Sequence, residues 1–170
     1  TVRAMAWFDA DGDGGEPAKL YVGGSFTTAG GVAASNIAYW DGTAWSALGG
    51  GVNNAVRAMT VWNGRLYVGG QFSRAGGVNA SNIACWDGTS WTALDSGTDD
   101  RVMTLAVFND GGGEALYAGG LFSNAGGTRV DRIARFDGST WSPLAAGTNN
   151  SVLSIIPFTS DDSPALYVGG

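Results

Sequence analysis

The sequence predicts an all-β fold: a β-propeller of four-stranded antiparallel blades, of which the 170 residues supply about three and a half. Three observations predict this fold. One motif recurs along the whole chain, each interval between copies contains four short apolar segments, and the composition includes 29 glycines with only 4 prolines. So many glycines without a collagen-like period indicate frequent tight turns between short strands.

The recurring motif is Leu-Tyr-Val-Gly-Gly, with alanine in place of valine in the third copy. It begins at Leu20, Leu66, Leu116 and Leu166, so the spacings are 46, 50 and 50 residues. Each of the first three copies is followed by Phe, then Ala-Gly-Gly, an Ile-Ala pair, an aromatic-Asp-Gly turn and a tryptophan. Self-similarity at this period is typical of propeller blades.

Each unit is predicted to contain four strands. In the second unit they fall roughly at residues 56–62, 66–72, 82–86 and 91–94, and Asn63-Gly64 supplies a two-residue hairpin turn between the first two. The strands are apolar on both faces, as in the run from Ile37 to Trp40. Sheets stacked radially as blades are buried on both faces in this way, whereas a sandwich would leave one face polar.

The predicted blade boundaries are residues 1–54, 55–100 and 101–150, with the first two strands of a fourth blade at 151–170. About three and a half blades do not close a ring, because propellers typically need four to eight blades. Either the chain is a portion of a longer array, which we favour, or partner chains complete the ring. The open blade edges are expected to allow self-association, because unpaired strand edges pair readily with other chains.

Leu66-Tyr67-Val68-Gly69-Gly70, followed by Trp86 and Trp91, resembles a kelch-type blade. The unit departs from that pattern in its tighter aromatic spacing, with Asp-Gly in place of a longer turn. The longer motif of the unit is Leu-Tyr-Val-Gly-Gly-x-Phe-x-x-Ala-Gly-Gly, followed by Trp-Asp-Gly-Thr-x-Trp. This motif is similar to repeats in bacterial secreted or surface proteins and in fungal cortical-marker surface proteins. This resemblance implies an extracellular or cell-surface location and a binding role, and it places the ligand surface on the face with the Ala-Gly-Gly loops.

Composition excludes several function classes. The net charge of −6 argues against nucleic acid, whose phosphates demand clustered positive charge. No apolar run is long enough for a transmembrane helix. The chain has no histidine and no carboxylate pair recurring in an apolar setting, so we predict no catalytic residue and no enzyme. The single cysteine, Cys85, stands in an apolar run and is predicted to be a core residue.

One acidic loop is a candidate metal site. Asp9, Asp11, Asp13 and Glu16 alternate around glycines, a pattern that can wrap a hard cation such as Ca²⁺. The EF-hand pattern fails, because Leu20 stands where its glutamate belongs. The alternative interpretation is a solvated acidic hairpin. No other cofactor is expected.

The loops on the Ala-Gly-Gly face supply the candidate ligand contacts. Each has an alternative role as a turn former, because Asn and Asp tolerate left-handed backbone and bond their own chain. Arg3 and Arg57 begin equivalent inner strands, near the mouth of a central channel, where they could receive an anion or be solvated. The loop candidates are Thr27, Thr28, Asn53, Asn54, Arg74, Asn79, Asp99, Asp100, Arg129, Arg132, Asn149 and Asn150.

The sequence therefore predicts a non-enzymatic extracellular or surface propeller segment that binds a protein or a glycan. The alternative is a structural spacer or self-assembling segment of a large surface protein. A weaker alternative is a portion of a propeller enzyme whose active site lies in other blades. Binding predicts loops that differ between blades and build one pocket, whereas the structural role predicts equivalent blades and ordered self-association.

Overall fold

The computed structural model describes residues 1–12, 14–160 and 163–170, which form strands joined by turns and loops. No helix long and apolar enough to cross a bilayer occurs among them. The strands, in chain order, are β1 (Val2–Phe8), β2 (Lys19–Gly24), β3 (Thr28–Ala29), β4 (Val32–Ala33), β5 (Ile37–Trp40), β6 (Trp45–Ala47), β7 (Val56–Trp62), β8 (Arg65–Gly70), β9 (Arg74–Ala75), β10 (Val78–Asn79), β11 (Ile83–Trp86), β12 (Trp91–Ala93), β13 (Val102–Asn109), β14 (Glu114–Gly120), β15 (Asn124–Ala125), β16 (Thr128–Arg129), β17 (Ile133–Phe136), β18 (Trp141–Pro143), β19 (Ser154–Ser160) and β20 (Ser163–Gly169).

The large sheets are the predicted blades. Blade 1 has the strand order β1-β2-β5-β6, blade 2 has β7-β8-β11-β12 and blade 3 has β13-β14-β17-β18, each antiparallel throughout. Strands β19 and β20 pair only with each other in the described part of the chain and form a half-blade. The all-β propeller architecture with an unclosed ring is confirmed.

Each Ala-Gly-Gly loop folds as a small hairpin that the sequence analysis did not predict. The pairs are β3–β4, β9–β10 and β15–β16. In the second hairpin, Gly76 and Gly77 form the turn with φ of +53° and +93°. Two successive positive φ values are what a tight hairpin turn requires, and glycine adopts them without steric cost. Isolated bridges from Val52 to Ala75 and from Thr98 to Ala125 tie two of these hairpins to the preceding inter-blade loops.

The first strands of the blades form the inner edge of the array. Strand β1 contacts β7, β7 contacts β13, and β13 contacts β19. In each of the three full blades the inner strand carries a bulge near its start, between Val2 and Ala4 in β1 and at the corresponding positions in β7 and β13. The bulged residues in the first two blades are Arg3 and Arg57.

One contact repeats at every interface between blades. A Cβ placed on Gly69 would lie 2.6 Å from Val102 Cγ1, because the valine that begins β13 packs directly onto that glycine. Gly23 receives Val56 in the same way, and Gly119 receives a valine that is itself fully buried, Val152. The first glycine of each Gly-Gly pair therefore leaves the space that the first valine of the next blade occupies.

Apolar side chains fill the spaces between blades. Phe8 and Tyr21 of blade 1 pack in one cluster with Val56, Leu66 and other residues of blade 2. A second cluster joins blades 2 and 3, and a third joins blade 3 to the half-blade. The tryptophans of blades 2 and 3 are buried in these cores, which is the packing expected when sheets are covered on both faces.

Candidate functional site

The polar residues of the Ala-Gly-Gly face are engaged in holding the loops together. Asn53 Oδ1 accepts hydrogen bonds from the backbone N–H groups of Ser73 (2.9 Å) and Arg74 (3.0 Å), and its Nδ2 donates to Ser73 Oγ at 2.9 Å. Asp99 does the same one blade later, accepting from the N–H groups of Ser123 (2.8 Å) and Asn124 (2.9 Å). These two residues clamp the inter-blade loop to the hairpin of the following blade.

The clamp affects the ionisation of Asp99. Burial opposes the charged form, but hydrogen bonds from Asn124 and Ser123 outweigh it, so the pKa of Asp99 is lowered from its usual value. The carboxylate is thus a hydrogen-bonded anchor between loops. Its acceptor positions are occupied by the chain itself, which favours a structural role over ligand binding.

Most other candidate residues also bond within their own loops. The side chains of Asn54, Asp100 and Asn150 each accept a hydrogen bond from the N–H of the next residue. Arg74 donates to Gly77 O, and Arg132 donates to Leu121 O and to Ser123 Oγ. Arg129 forms an ion pair with Asp131 at 3.1 Å. The turn-forming interpretation accounts for these contacts.

Four of the loop candidates differ from the others. The side chains of Thr27, Thr28, Asn79 and Asn149 make no hydrogen bond with any residue that the structure describes. Thr28 lies beside a groove on the open side of blade 1, which Val2 and Trp45 also line. Asn149 follows the third blade in the position that Asn53 and Asp99 hold after the first and second. Thr28 and Asn149 line separate cavities, so these four side chains do not meet in one pocket within the described part of the chain.

The opposite face carries the Asp-Gly turns, and each aspartate organises its own turn. Asp87 Oδ1 accepts hydrogen bonds from the N–H and hydroxyl of Thr89 and from the N–H of Ser90, at 2.8 to 2.9 Å. Asp41 and Asp137 make the same three contacts in their blades. Backbone N–H groups of the turn donate to the charged form, so the pKa values of all three carboxyls are lowered.

The lowered pKa values of these aspartates predict that the folded protein loses stability in acid. A carboxyl whose pKa is depressed in the folded state contributes stability above its unfolded pKa of about 4, and that contribution is lost as the pH falls below it. We expect Asp87→Asn to lower the melting temperature at pH 7, with the difference from the parent protein shrinking as the pH approaches 2. Thermal melts across this range measure it, with Glu114→Gln as the control. A difference that stayed constant with pH would contradict the prediction.

In the described part of the acidic loop, the side chains of Asp9 and Asp11 lie close together, and a hydrogen bond with Asp9 is the main cause that lowers the pKa of Asp11. Asp11 Oδ2 accepts a hydrogen bond from the N–H of Glu16, and Asp9 Oδ1 accepts one from the N–H of Asp11, both at 3.3 Å. Glu16 forms an exposed ion pair with Lys19 at 3.7 Å. Asp13 lies outside the described residues. Among those described, no group of three acidic, histidine or cysteine residues is placed to hold a metal. Calcium binding stays a prediction.

Arginines collect at the inner edge of the array. Arg57 is partly buried, and its pKa is lowered first by that burial and then by the charges of Arg3 and Arg101. Its Nε atom is buried and has no hydrogen-bond partner among the described residues. Sequence reasoning placed Arg3 and Arg57 here but missed Arg101. The sequence did contain an indication of its position, because Arg101 stands directly before Val102, the valine that begins β13.

Cys85 is a core residue, as its sequence context predicted. Its side chain is buried in the cluster between blades 2 and 3, and burial raises the pKa of its thiol. A thiol with a raised pKa holds less of the nucleophilic thiolate at neutral pH.

Comparison with protein-family models gives a match to a short part of the chain. The model of a β-propeller domain of unknown function, DUF5122, matches residues 63–85. The chain has a β-propeller fold. The matched residues begin at the Asn63-Gly64 turn and end inside β11, so they contain β8 and the small hairpin β9–β10 of blade 2. No curated protein and no solved structure matches the chain.

Proposed function

We propose that the chain is a non-enzymatic structural segment whose end blades pack against further blades of the same repeat type. The observation that carries this proposal is the valine-on-glycine contact, which joins blades at all three internal interfaces and leaves one unmatched valine and one unmatched glycine at the two ends. In repeat arrays each unit contacts only its neighbours, and an end without a polar cap leaves the same contact available to a further unit.

The first blade presents the unmatched valine. Val2 is 51 % exposed, whereas the equivalent Val56 is 0 % exposed against blade 1. Met5, 65 % exposed, and Trp7 continue the same face of β1 into solvent. Large apolar side chains clustered on one strand face are typical of a surface that packs against a partner.

The half-blade presents the unmatched glycine. A Cβ placed on Gly169 would meet no atom within 4 Å, in contrast to its three equivalents. Beside it, Tyr167 is 61 % exposed, whereas the equivalent Tyr117 is 2 % exposed. Ile156 and Phe158 extend this apolar face along β19. The two end faces are therefore complementary to each other, as a heterologous head-to-tail contact requires.

The geometry supports this structural role better than the binding of a protein or glycan through the loops. Two of the loop candidates, Asn53 and Asp99, use their side chains to hold loops together within the array. The extracellular or surface location is proposed from the resemblance of the repeats to those of surface proteins. An enzymatic role is proposed only if blades outside this chain supply the catalytic residues.

A second copy of the chain tests the proposal, because it supplies blades of the same type. We expect light scattering to show a mass that rises with protein concentration. The double variant Val2→Cys/Gly169→Cys is expected to form a ladder of disulfide-linked oligomers under mild oxidation, because the equivalent internal pairs are in van der Waals contact. The control, Val2→Cys/Thr43→Cys, places the second cysteine on an exposed turn. A monomer at every concentration with no ladder would overturn the proposal.

A further inference from the structure

Three arginines lie where the inner strands of three consecutive blades begin. Arg3 is in β1 and Arg57 in β7, while Arg101 directly precedes β13. These strands are neighbours, with β7 contacting β1 on one side and β13 on the other. The chain as a whole has a net charge of −6, so the cluster is a local reversal of sign.

The charges of this cluster are poorly neutralised by the protein. Arg3 and Arg57 form no ion pair and no side-chain hydrogen bond within the described ranges. Arg101 has one carboxylate nearby, since its Nε lies 3.6 Å from Asp100 Oδ1. Three guanidiniums and one carboxylate leave an excess of two positive charges. Like charges held together without compensation are unfavourable and favour binding of an anion.

Arginines elsewhere in the chain contrast with this cluster. Arg74 and Arg132 donate to backbone carbonyls, and Arg129 and Arg135 pair with aspartates at 3.1 Å. These side chains have acceptors from the protein itself. Arg3 and Arg57, at the inner edge, have no such acceptor among the described residues.

Arg57 is also partly immobilised before any ligand arrives. Its Nε is buried, so the side chain lies against the protein instead of extending freely into solvent. A long side chain that is already ordered loses less conformational entropy on binding. The planar guanidinium can then present paired N–H donors to a carboxylate or phosphate.

We propose that Arg3, Arg57 and Arg101 form a binding site for a small multivalent oxyanion at the inner edge of the blade array. Arg57 is the central residue, and Arg3 and Arg101 approach the anion from the two flanking blades. An anion with about two negative charges matches the excess charge of the cluster. The site is independent of the end-to-end packing proposed above, because none of its residues belongs to the valine–glycine contact.

Inorganic phosphate is the first probe. Titration into the parent chain at constant ionic strength, held with sodium chloride, is expected to shift the ¹⁵Nε resonance of Arg57 in a saturable manner. Arg57→Gln is expected to weaken phosphate binding about tenfold or more in calorimetry, the loss typical of a charged hydrogen-bonding partner. The control Arg74→Gln removes the same charge from an exposed loop and is expected to change the affinity less than about twofold.

Two results would overturn the site. One is an Arg57 ¹⁵Nε resonance that does not move when phosphate replaces chloride in the parent chain. The other is an equal loss of affinity in Arg57→Gln and Arg74→Gln, which would assign binding to overall charge. The resonance is read in the unaltered protein, so the first result decides the question even if Arg57→Gln fails to fold.

Discussion

Gly69→Val is expected to lower the free energy of unfolding by about 3 kcal/mol, because it places a side chain where the next blade already packs. Even the first added carbon would lie 2.6 Å from Val102 Cγ1 and 3.3 Å from Leu105 Cδ1. Both neighbours are buried, so neither can move without opening the core between blades 2 and 3. Valine itself favours strands, so any loss measures the clash and not the backbone preference.

Gly169→Val is the matched control, because the same residue type changes at the equivalent position of the half-blade. No atom lies within 4 Å of the added Cβ. We expect the unfolding free energy to stay within about 0.5 kcal/mol of the parent value. Thermal melts should separate the variants by roughly 6 to 12 °C. Equal melting temperatures would show that the glycine is not required for blade packing. In the association assay, Gly169→Val is expected to reduce head-to-tail contact.

Trp91→Ala is expected to cost about 3 to 5 kcal/mol, since it removes a buried aromatic side chain from the interface between blades 1 and 2. The ring is 6 % exposed and packs 5.3 Å from Trp86, centroid to centroid. Its Nε1 donates to Gly49 O at 3.1 Å, which links β12 to the loop after blade 1. The variant loses both the apolar packing and this hydrogen bond, and chemical denaturation measures the change in unfolding free energy.

Trp45→Ala is the matched control for Trp91→Ala, because it removes the equivalent tryptophan of blade 1. Trp45 occupies the same place in blade 1 and pairs with Trp40 at 5.5 Å, but both rings are only partly buried because their outer face is open. The expected cost is about 1 kcal/mol, typical of a partly exposed residue. A loss as large as that of Trp91→Ala would mean that the tryptophan acts within its own blade, contrary to the packing described above.

The loop face shows where sequence reasoning reached its limit. Asn53 and Asp99 were suitable both as ligand contacts and as turn formers, because an amide or carboxylate serves either purpose. Only the fold reveals that each one meets the N–H groups of a hairpin about 20 to 25 residues further along the chain. Arg101 was overlooked for a related reason, since its proximity to Arg57 depends on how adjacent blades pack.

The sequence by itself determined the all-β class, the blade as the repeating unit and the order of strands within it. These features follow from local chemistry: apolar segments of strand length are separated by turn residues, and one motif recurs at nearly constant spacing. The tertiary structure alone decided what the Gly-Gly pair is for. Its first glycine is a hole for a valine about 33 residues later (Gly69 to Val102), and that contact exists only when two blades stack. Which apolar side chains are buried and which remain exposed at the ends depends on the same stacking.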